Sequence, residues 1–316
     1  MRVAGIRADG SVGIAGYCDR LATALDPLGV AYEPAPAPRT GARSHYHLGN
    51  SSRRTLLQML GRREPTVVTI HDVVPRDRRL LAAQRALVAP LLRRRGTALV
   101  VHSETAAGML RALTGVRPER VRVIPIAAPR MGEVSRRHAR AALGWPEDEL
   151  IALLPGVLKS VKLVGEAASA ASAAGWRLAL AGRVLDAELV RRARAGGALV
   201  CPNPDRATYE RAIKAADAVL VLRASSVGET NMPLLEALGA GRAVLATPTG
   251  SIPEVADGAA LLCPPTADGI RHGLDELADP AERAAREARS AARAAELDPA
   301  AAAAAHAELF AQVFGG

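Results

Sequence analysis

Short apolar runs rich in Val, Ile, Leu and Ala recur along the chain, separated by longer stretches where apolar residues return every three or four positions. Runs that are apolar throughout suit strands buried on both faces, and helices between such strands give parallel sheets. In the first half the pattern predicts strands over Arg2–Ile6, His45–Leu48, Thr66–Ile70, Ala98–Val101 and Val121–Ile124. In the second it predicts Leu150–Leu154, Arg177–Ala181, Ala198–Cys201, Ala218–Leu222, Ala243–Ala246 and Ala259–Cys263. The fold class that follows is α/β: two doubly wound, Rossmann-like parallel sheets facing a cleft.

A length of 316 residues suits two domains, each with its own core. Pro125, Pro129 and Gly132 interrupt the period and Leu150 restarts it, so the first domain is expected over 1–132 and the second over 133–296. The tail is alanine-rich and helical, broken at Asp298-Pro299. Its last helix, 297–316, is expected to pack back on the first domain.

Charge divides the halves. Residues 1–148 hold 24 arginines against 12 acids, whereas 149–316 hold 17 basic residues against 20 acids. An excess of +12 in the first half reads first as a solvated, arginine-rich surface, with an anionic acceptor or a peripheral contact with an anionic membrane face as the functional alternative. The basic-ended segment Arg78–Arg95 is the candidate for such a contact, though packing of its apolar face on the first sheet explains it better. Aromatic residues make up 3% of the chain, too few for base-stacking platforms, which argues against nucleic acid. The absence of a long apolar span or a secretory leader pattern points to the cytoplasm, including the inner membrane face. Cys18, Cys201 and Cys263 form no Cys-x-x-Cys pair and read as small buried hydrophobes.

The chemistry concentrates after two predicted strands. Residues 218–222 run into Arg223-Ala-Ser-Ser-Val-Gly-Glu-Thr-Asn-Met232, and Pro233 opens a helical pattern. A strand, a polar loop and a helix start aim free amides and the positive end of a helix dipole at the loop, an arrangement that holds phosphate. Glu229 and Glu236 flank it, and carboxylates accept from sugar hydroxyls. Earlier, Leu154-Pro-Gly156 leaves a strand, and Lys162 follows within reach of a diphosphate.

These residues resemble the retaining glycosyltransferases of family four, whose two Rossmann-like domains form the GT-B architecture. The resemblance is carried by Arg140–Asp148, Gly156–Lys162, Leu180-Ala-Gly182, Ala216–Arg223, Gly228–Glu236, Gly239–Val244 and Gly250–Glu254. It implies a nucleotide-sugar donor on the second domain and a small-molecule or glycan acceptor on the first. Lys162 is then the donor-diphosphate cation, and Glu236 holds the ribose. Gly228, Glu229, Thr230, Asn231 and Met232, with Arg223 and Gly156, surround the sugar and β-phosphate. In the first domain Gly13 resembles the family's glycine loop, and His71 resembles the histidine that touches the donor sugar. His71, Glu229 and Lys162 are thus the catalytic candidates, and Tyr17, His47 and Asn50 are candidates for the acceptor side.

Two features depart from the family pattern. Its glutamates usually have seven residues between them, whereas six separate Glu229 from Glu236 and Gly228 holds the strict position. Val157 stands where many members carry Arg, with Lys159 and Arg183 as alternative sources of charge. The nucleotide-sugar is a substrate, and no cofactor is called for. No Asp-x-Asp motif or His/carboxylate cluster at metal spacing occurs, so a metal-independent reaction is expected. His45 and His47 share one strand face. His102 reads as a structural neighbour of the site, and His138, His272 and His306 as surface residues. An epimerase, a phosphorylase and a non-catalytic scaffold remain the alternatives to a transferase.

Overall fold

The computed structural model describes residues 1–7, 12–39, 41–49, 53–59, 64–74 and 88–315. By contacts the chain divides into two compact units. The first is Met1–Ala127 with Val227–Thr230 and Leu297–Gly316; the second is Ala128–Ser226 with Asn231–Glu296. The division therefore falls after Ala127, where the sequence placed it after Gly132. Residues 297–316 group with the first unit.

The first unit is a six-stranded, wholly parallel sheet in the order β2-β1-β3-β4-β5-β6. Its strands are β1 (Arg2–Ile6), β2 (Ala31–Ala35), β3 (Ser44–Leu48), β4 (Thr66–Ile70), β5 (Thr97–Val101) and β6 (Val121–Val123). β3 and β4 are buried at every position; β4 is an uninterrupted apolar or small-residue run, whereas β3 buries Ser44, His45 and His47 beside Tyr46 and Leu48. β2 was not predicted. Its Pro34 and Glu33 break the apolar pattern, which an edge strand paired only with β1 tolerates. Of the segment Arg78–Arg95, residues 88–95 are described; 88–92 are helical, and Val88, Ala89, Leu91 and Leu92 are buried.

The second unit has the order β12-β11-β10-β7-β8-β9, again all parallel. Its strands are β7 (Ile151–Pro155), β8 (Arg177–Gly182), β9 (Leu199–Pro202), β10 (Ala218–Val221), β11 (Ala243–Ala246) and β12 (Ala260–Leu262). Read from β7 as the first strand, this is the dinucleotide-fold order 3-2-1-4-5-6. The chain reverses direction across the sheet between β7 and β10, which leaves a crevice outside their carboxyl ends. A buried ion pair braces the opposite end of these strands. Arg140 Nη2 meets Asp217 Oδ2 at 2.5 Å, and the same oxygen accepts from the Ile151 amide at 2.8 Å. The remaining Arg140 donors reach the carbonyls of Ala215, Glu147 and Glu149.

The helical tail breaks as expected, into Pro280–Glu296 and Pro299–Phe314, and Asp298 caps the second helix through the Ala300 amide. Cys18 and Cys263 are buried and Cys201 is half-buried. Among the described residues no helix is long and apolar enough to cross a membrane.

Candidate active site

In the second unit the chain leaves β7 at Gly156, whose φ of +92° places it in the left-handed region. Its amide donates to Ala181 O at 2.9 Å and Leu158 donates to Arg183 O at 2.8 Å, so this segment runs as an extension beside β8. Gly182 makes the approach possible, because a Cβ there would lie 1.7 Å from Gly156 O. A single turn, Ser160–Lys162, then folds the lysine back. Lys162 is 2% exposed and its ammonium donates to Pro155 O at 3.2 Å.

β10 leads into the second segment of the site. The amide and carbonyl of Arg223 are both bonded to the Thr247 hydroxyl, and Thr249 Oγ1 adds a third bond to the same carbonyl. The Ala224 amide donates to Val161 O at 3.0 Å, tying this loop to the turn that carries Lys162. The helix Met232–Gly239 follows. Asn231 is its N-cap, Oδ1 accepting from the Leu234 amide, and Pro233 sits in the first turn. A Cβ on Gly156 would lie 3.0 Å from Pro233 Cγ and 3.5 Å from Lys162 Nζ. Three predicted features thus meet at the switch point of one sheet: the glycine, the lysine and a helix amino terminus.

Glu236 is buried one turn into this helix, and both its oxygens have protein donors: Arg206 Nη1 at 2.7 Å and the Tyr209 hydroxyl at 2.8 Å. Each carboxylate oxygen has a second lone pair, so a ligand hydroxyl can still donate to it. Burial, then the adjoining Glu236 charge, raise the Tyr209 pKa well above its ordinary value and keep it a donor. Sequence reading missed Arg206 and Tyr209. The only local signal was their i, i+3 spacing on the helix Arg206–Ala215, with the guanidinium 5.8 Å from the Tyr209 ring centre.

In the first unit, residues 227–230 lie beside the segment that follows β4. Val227 O accepts from the amides of Val73 and Val74, both at 2.9 Å. Gly228 has φ +83° and faces Val73 at a distance, 2.8 Å, that leaves no room for a Cβ. Glu229 turns back, Oε2 accepting from the Val227 amide at 2.7 Å. Thr230 is half-buried, as is Met232 of the second unit, and Gly13 lies exposed at the start of the helix Val12–Leu25.

The histidines depart furthest from expectation. His71, half-buried just beyond β4, has both ring nitrogens engaged, Nε2 by His47 at 3.1 Å and Nδ1 by His102 at 3.4 Å. His47 and Tyr17, expected on the acceptor side, lie inside the unit, 0% and 7% exposed. The Tyr17 hydroxyl meets His306 Nε2 at 3.1 Å. His306 was expected on the surface; it is 1% exposed because Pro299–Phe314 packs against the helix bearing Tyr17. His138 and His272 are exposed. Asn50, the third acceptor-side candidate, lies outside the described residues. Among the described residues no group of three or more His, Cys, Asp or Glu is arranged to hold a metal ion.

Two family descriptions match the chain: Glycosyltransferase Family 4 over residues 43–127 and Glycosyl transferases group 1 over residues 151–279. No curated protein sequence matches it. Solved structures match over nearly its whole length. A sucrose-phosphate synthase from Thermosynechococcus elongatus superposes with a TM-score of 0.80 at 18% identity, covering 100% of this chain and 99% of the other. HepE of Anabaena, in complex with UDP and glucose, gives 0.79 at 15%, covering 99% and 100%. A glycosyltransferase from Rickettsia africae gives 0.76 at 12%, covering 99% and 98%. At these identities the structures establish a shared fold, and the two family matches carry the assignment. The chain belongs to the family-four type of glycosyltransferase with the GT-B architecture.

Proposed function

We propose that the protein transfers a sugar from a nucleoside-diphosphate sugar to an acceptor hydroxyl, with retention of anomeric configuration and without a divalent metal. The observation that carries this reading is the meeting of Gly156, Lys162 and the amino end of Met232–Gly239 at the switch point of the second unit. In this reading the Lys162 ammonium and the positive amino end of that helix hold the diphosphate, and Glu236, positioned by Arg206 and Tyr209, accepts from the ribose. HepE, with the same fold, was crystallised with UDP and glucose, which supports a nucleotide-sugar as donor.

The bond from the sugar C1 to the diphosphate oxygen breaks and one to the acceptor oxygen forms on the same face, the acceptor proton passing to the departing phosphate. Enzymes lower such barriers by ~8–23 kcal/mol. A helix dipole supplies at most about 2 kcal/mol. Several oriented donors at roughly 3 kcal/mol each therefore have to act together with positioning of the acceptor, worth roughly 7–11 kcal/mol. Glu229 and Thr230 are assigned to sugar hydroxyls, with the Glu229 oxygen that does not face Val227 as the acceptor. The test is a thermal-shift panel of UDP-, GDP-, ADP- and TDP-sugars with a chelator present, followed by NMR of the product anomer. One donor should raise the melting temperature and yield a product of unchanged configuration. An inverted product, or stabilisation only after a divalent ion is restored, would refute retention or metal independence respectively.

A further inference from the structure

The loop that follows β9 carries a side chain with one half fixed and the other half open. Asn203 stands between Pro202 and Pro204, which stiffen the loop on both sides. Its φ of +49° lies in the left-handed region, where asparagine is among the few side chains regularly found. Two hydrogen bonds hold it there: its amide donates to Gly182 O at 2.8 Å, and Oδ1 accepts from the Val184 amide at 3.0 Å. A backbone N–H only donates, so the side-chain atom facing Val184 is the oxygen, and Nδ2 turns away with both its hydrogens. Asn203 is exposed, and among the described residues no group accepts from Nδ2.

The place of this amide in the sheet gives it a ligand. Gly182, at the end of β8, lies against Gly156 at the end of β7, close enough that a Cβ would meet Gly156 O at 1.7 Å. Asn203 is bonded to that same Gly182 and follows β9, two strands or about 10 Å across the sheet from β7. On its other side Asp205 caps the helix Arg206–Ala215, whose first residue holds Glu236. Asn203 therefore joins the segment beside the diphosphate to the one that positions the ribose carboxylate. A nucleoside that runs from Gly156 past Glu236, along the carboxyl ends of the strands, ends with its base at this loop.

We propose that Asn203 is a specificity-determining residue that reads the base of the donor, Nδ2 donating to an exocyclic carbonyl oxygen, so that a uracil, thymine or guanine nucleotide is taken in preference to an adenine nucleotide. This rests on the reading that Gly156 and Lys162 hold a nucleoside diphosphate. Uracil and thymine present O4 and guanine O6, which accept, whereas adenine presents an amino group, which donates. A donor set against a donor leaves both without a partner.

The test is isothermal titration of UDP, TDP, GDP and ADP into the full chain with a chelator present. The wild type should bind at least one of the first three about two- to tenfold more tightly than ADP, the value of one net hydrogen bond. Asn203→Asp keeps the oxygen that accepts from Val184 and tolerates the same backbone angle, but sets an acceptor where Nδ2 was. Its charge weakens all four diphosphates alike, so the ratio is the readout, and that ratio should vanish or invert in favour of ADP. Asn203→Gly suits φ +49° and should bring the ratio close to one. A purely structural asparagine would leave the ratio where it was. A ratio unmoved in either variant, or a wild type that prefers ADP, would overturn the proposal. A wild type that binds none of the four would instead sink the reading at Lys162, and this inference with it.

Discussion

Five of the seven histidines lie in the first unit, buried or half-buried, whereas His138 and His272 are exposed in the second. Burial holds His102 and His306 down at about 4 and His45, His47 and His71 well below 6.5, with neighbouring imidazoles adding to the shift. Groups with depressed folded pKa values stay neutral in the native unit while the unfolded chain takes up protons. Stability is therefore intact above pH 6.5 and falls as the pH drops through that value toward 4. For a folded pKa near 4, as at His102 and His306, lowering the pH from 7.5 to 5.5 removes about 1.3 kcal/mol per histidine, or roughly 2–3 kcal/mol for the two, and His45, His47 and His71 shift stability in the same direction. Whole-domain stabilities are ~5–15 kcal/mol, so the first unit should lose a large share of its stability by pH 5.5. The second unit is an internal control. Trp145 and Trp176 both belong to it, so tryptophan fluorescence follows its unfolding alone. Urea titrations followed by fluorescence, paired with hydrogen exchange in β3, β4 and β5, should show protection in the first unit collapsing between pH 7 and 5.5 while the second holds. Equal losses in both units, or protection in β3 indifferent to pH, would refute the reasoning.

Other expectations follow from single contacts. Asp217→Ala leaves Arg140 buried without its carboxylate and should cost about 3–5 kcal/mol in chemical denaturation of the second unit. Gly228→Ala places a methyl against Val73 at a backbone angle that disfavours it; steady-state kinetics should show a fall in kcat with nucleoside diphosphate binding by calorimetry unchanged. Tyr209→Phe removes one donor to Glu236 and should alter affinity for the free nucleoside diphosphate by about two- to tenfold, a net hydrogen bond being worth roughly 0.5–1.5 kcal/mol.

The sheets were legible because strands such as Thr66–Ile70 and Ala243–Ala246 are unbroken apolar or small-residue runs, a signal that survives without any tertiary information. β2 was not, since Glu33 and Pro34 hide an edge strand whose only partner is β1. The meeting of Gly156, Lys162 and Pro233 was readable as two strand-end loops; that the loops adjoin depends on β7 and β10 being neighbours, which the strand order decides. The buried histidines were half legible. The i, i+2 spacing put His45 and His47 on one face, but Tyr32, whose hydroxyl meets both rings, sits on the unpredicted strand. His306 was misplaced because a helix that is alanine on nearly every side shows no apolar stripe to mark the buried one. Glu236 and its partner Arg206 are thirty positions apart, and no local pattern connects them.

The claim on which the rest depends is that the second unit grips a diphosphate through Lys162 at the end of β7. Isothermal titration of nucleoside diphosphates into the full chain, with a chelator present, tests it directly. The wild type should bind one of them, and Lys162→Met, which keeps the length of the side chain but not its charge, should weaken that binding by about 10–150-fold, the value of a charge-assisted hydrogen bond at roughly 1.5–3 kcal/mol. Binding of equal strength in both proteins would contradict the account, as would a wild type that takes up no nucleoside diphosphate at all.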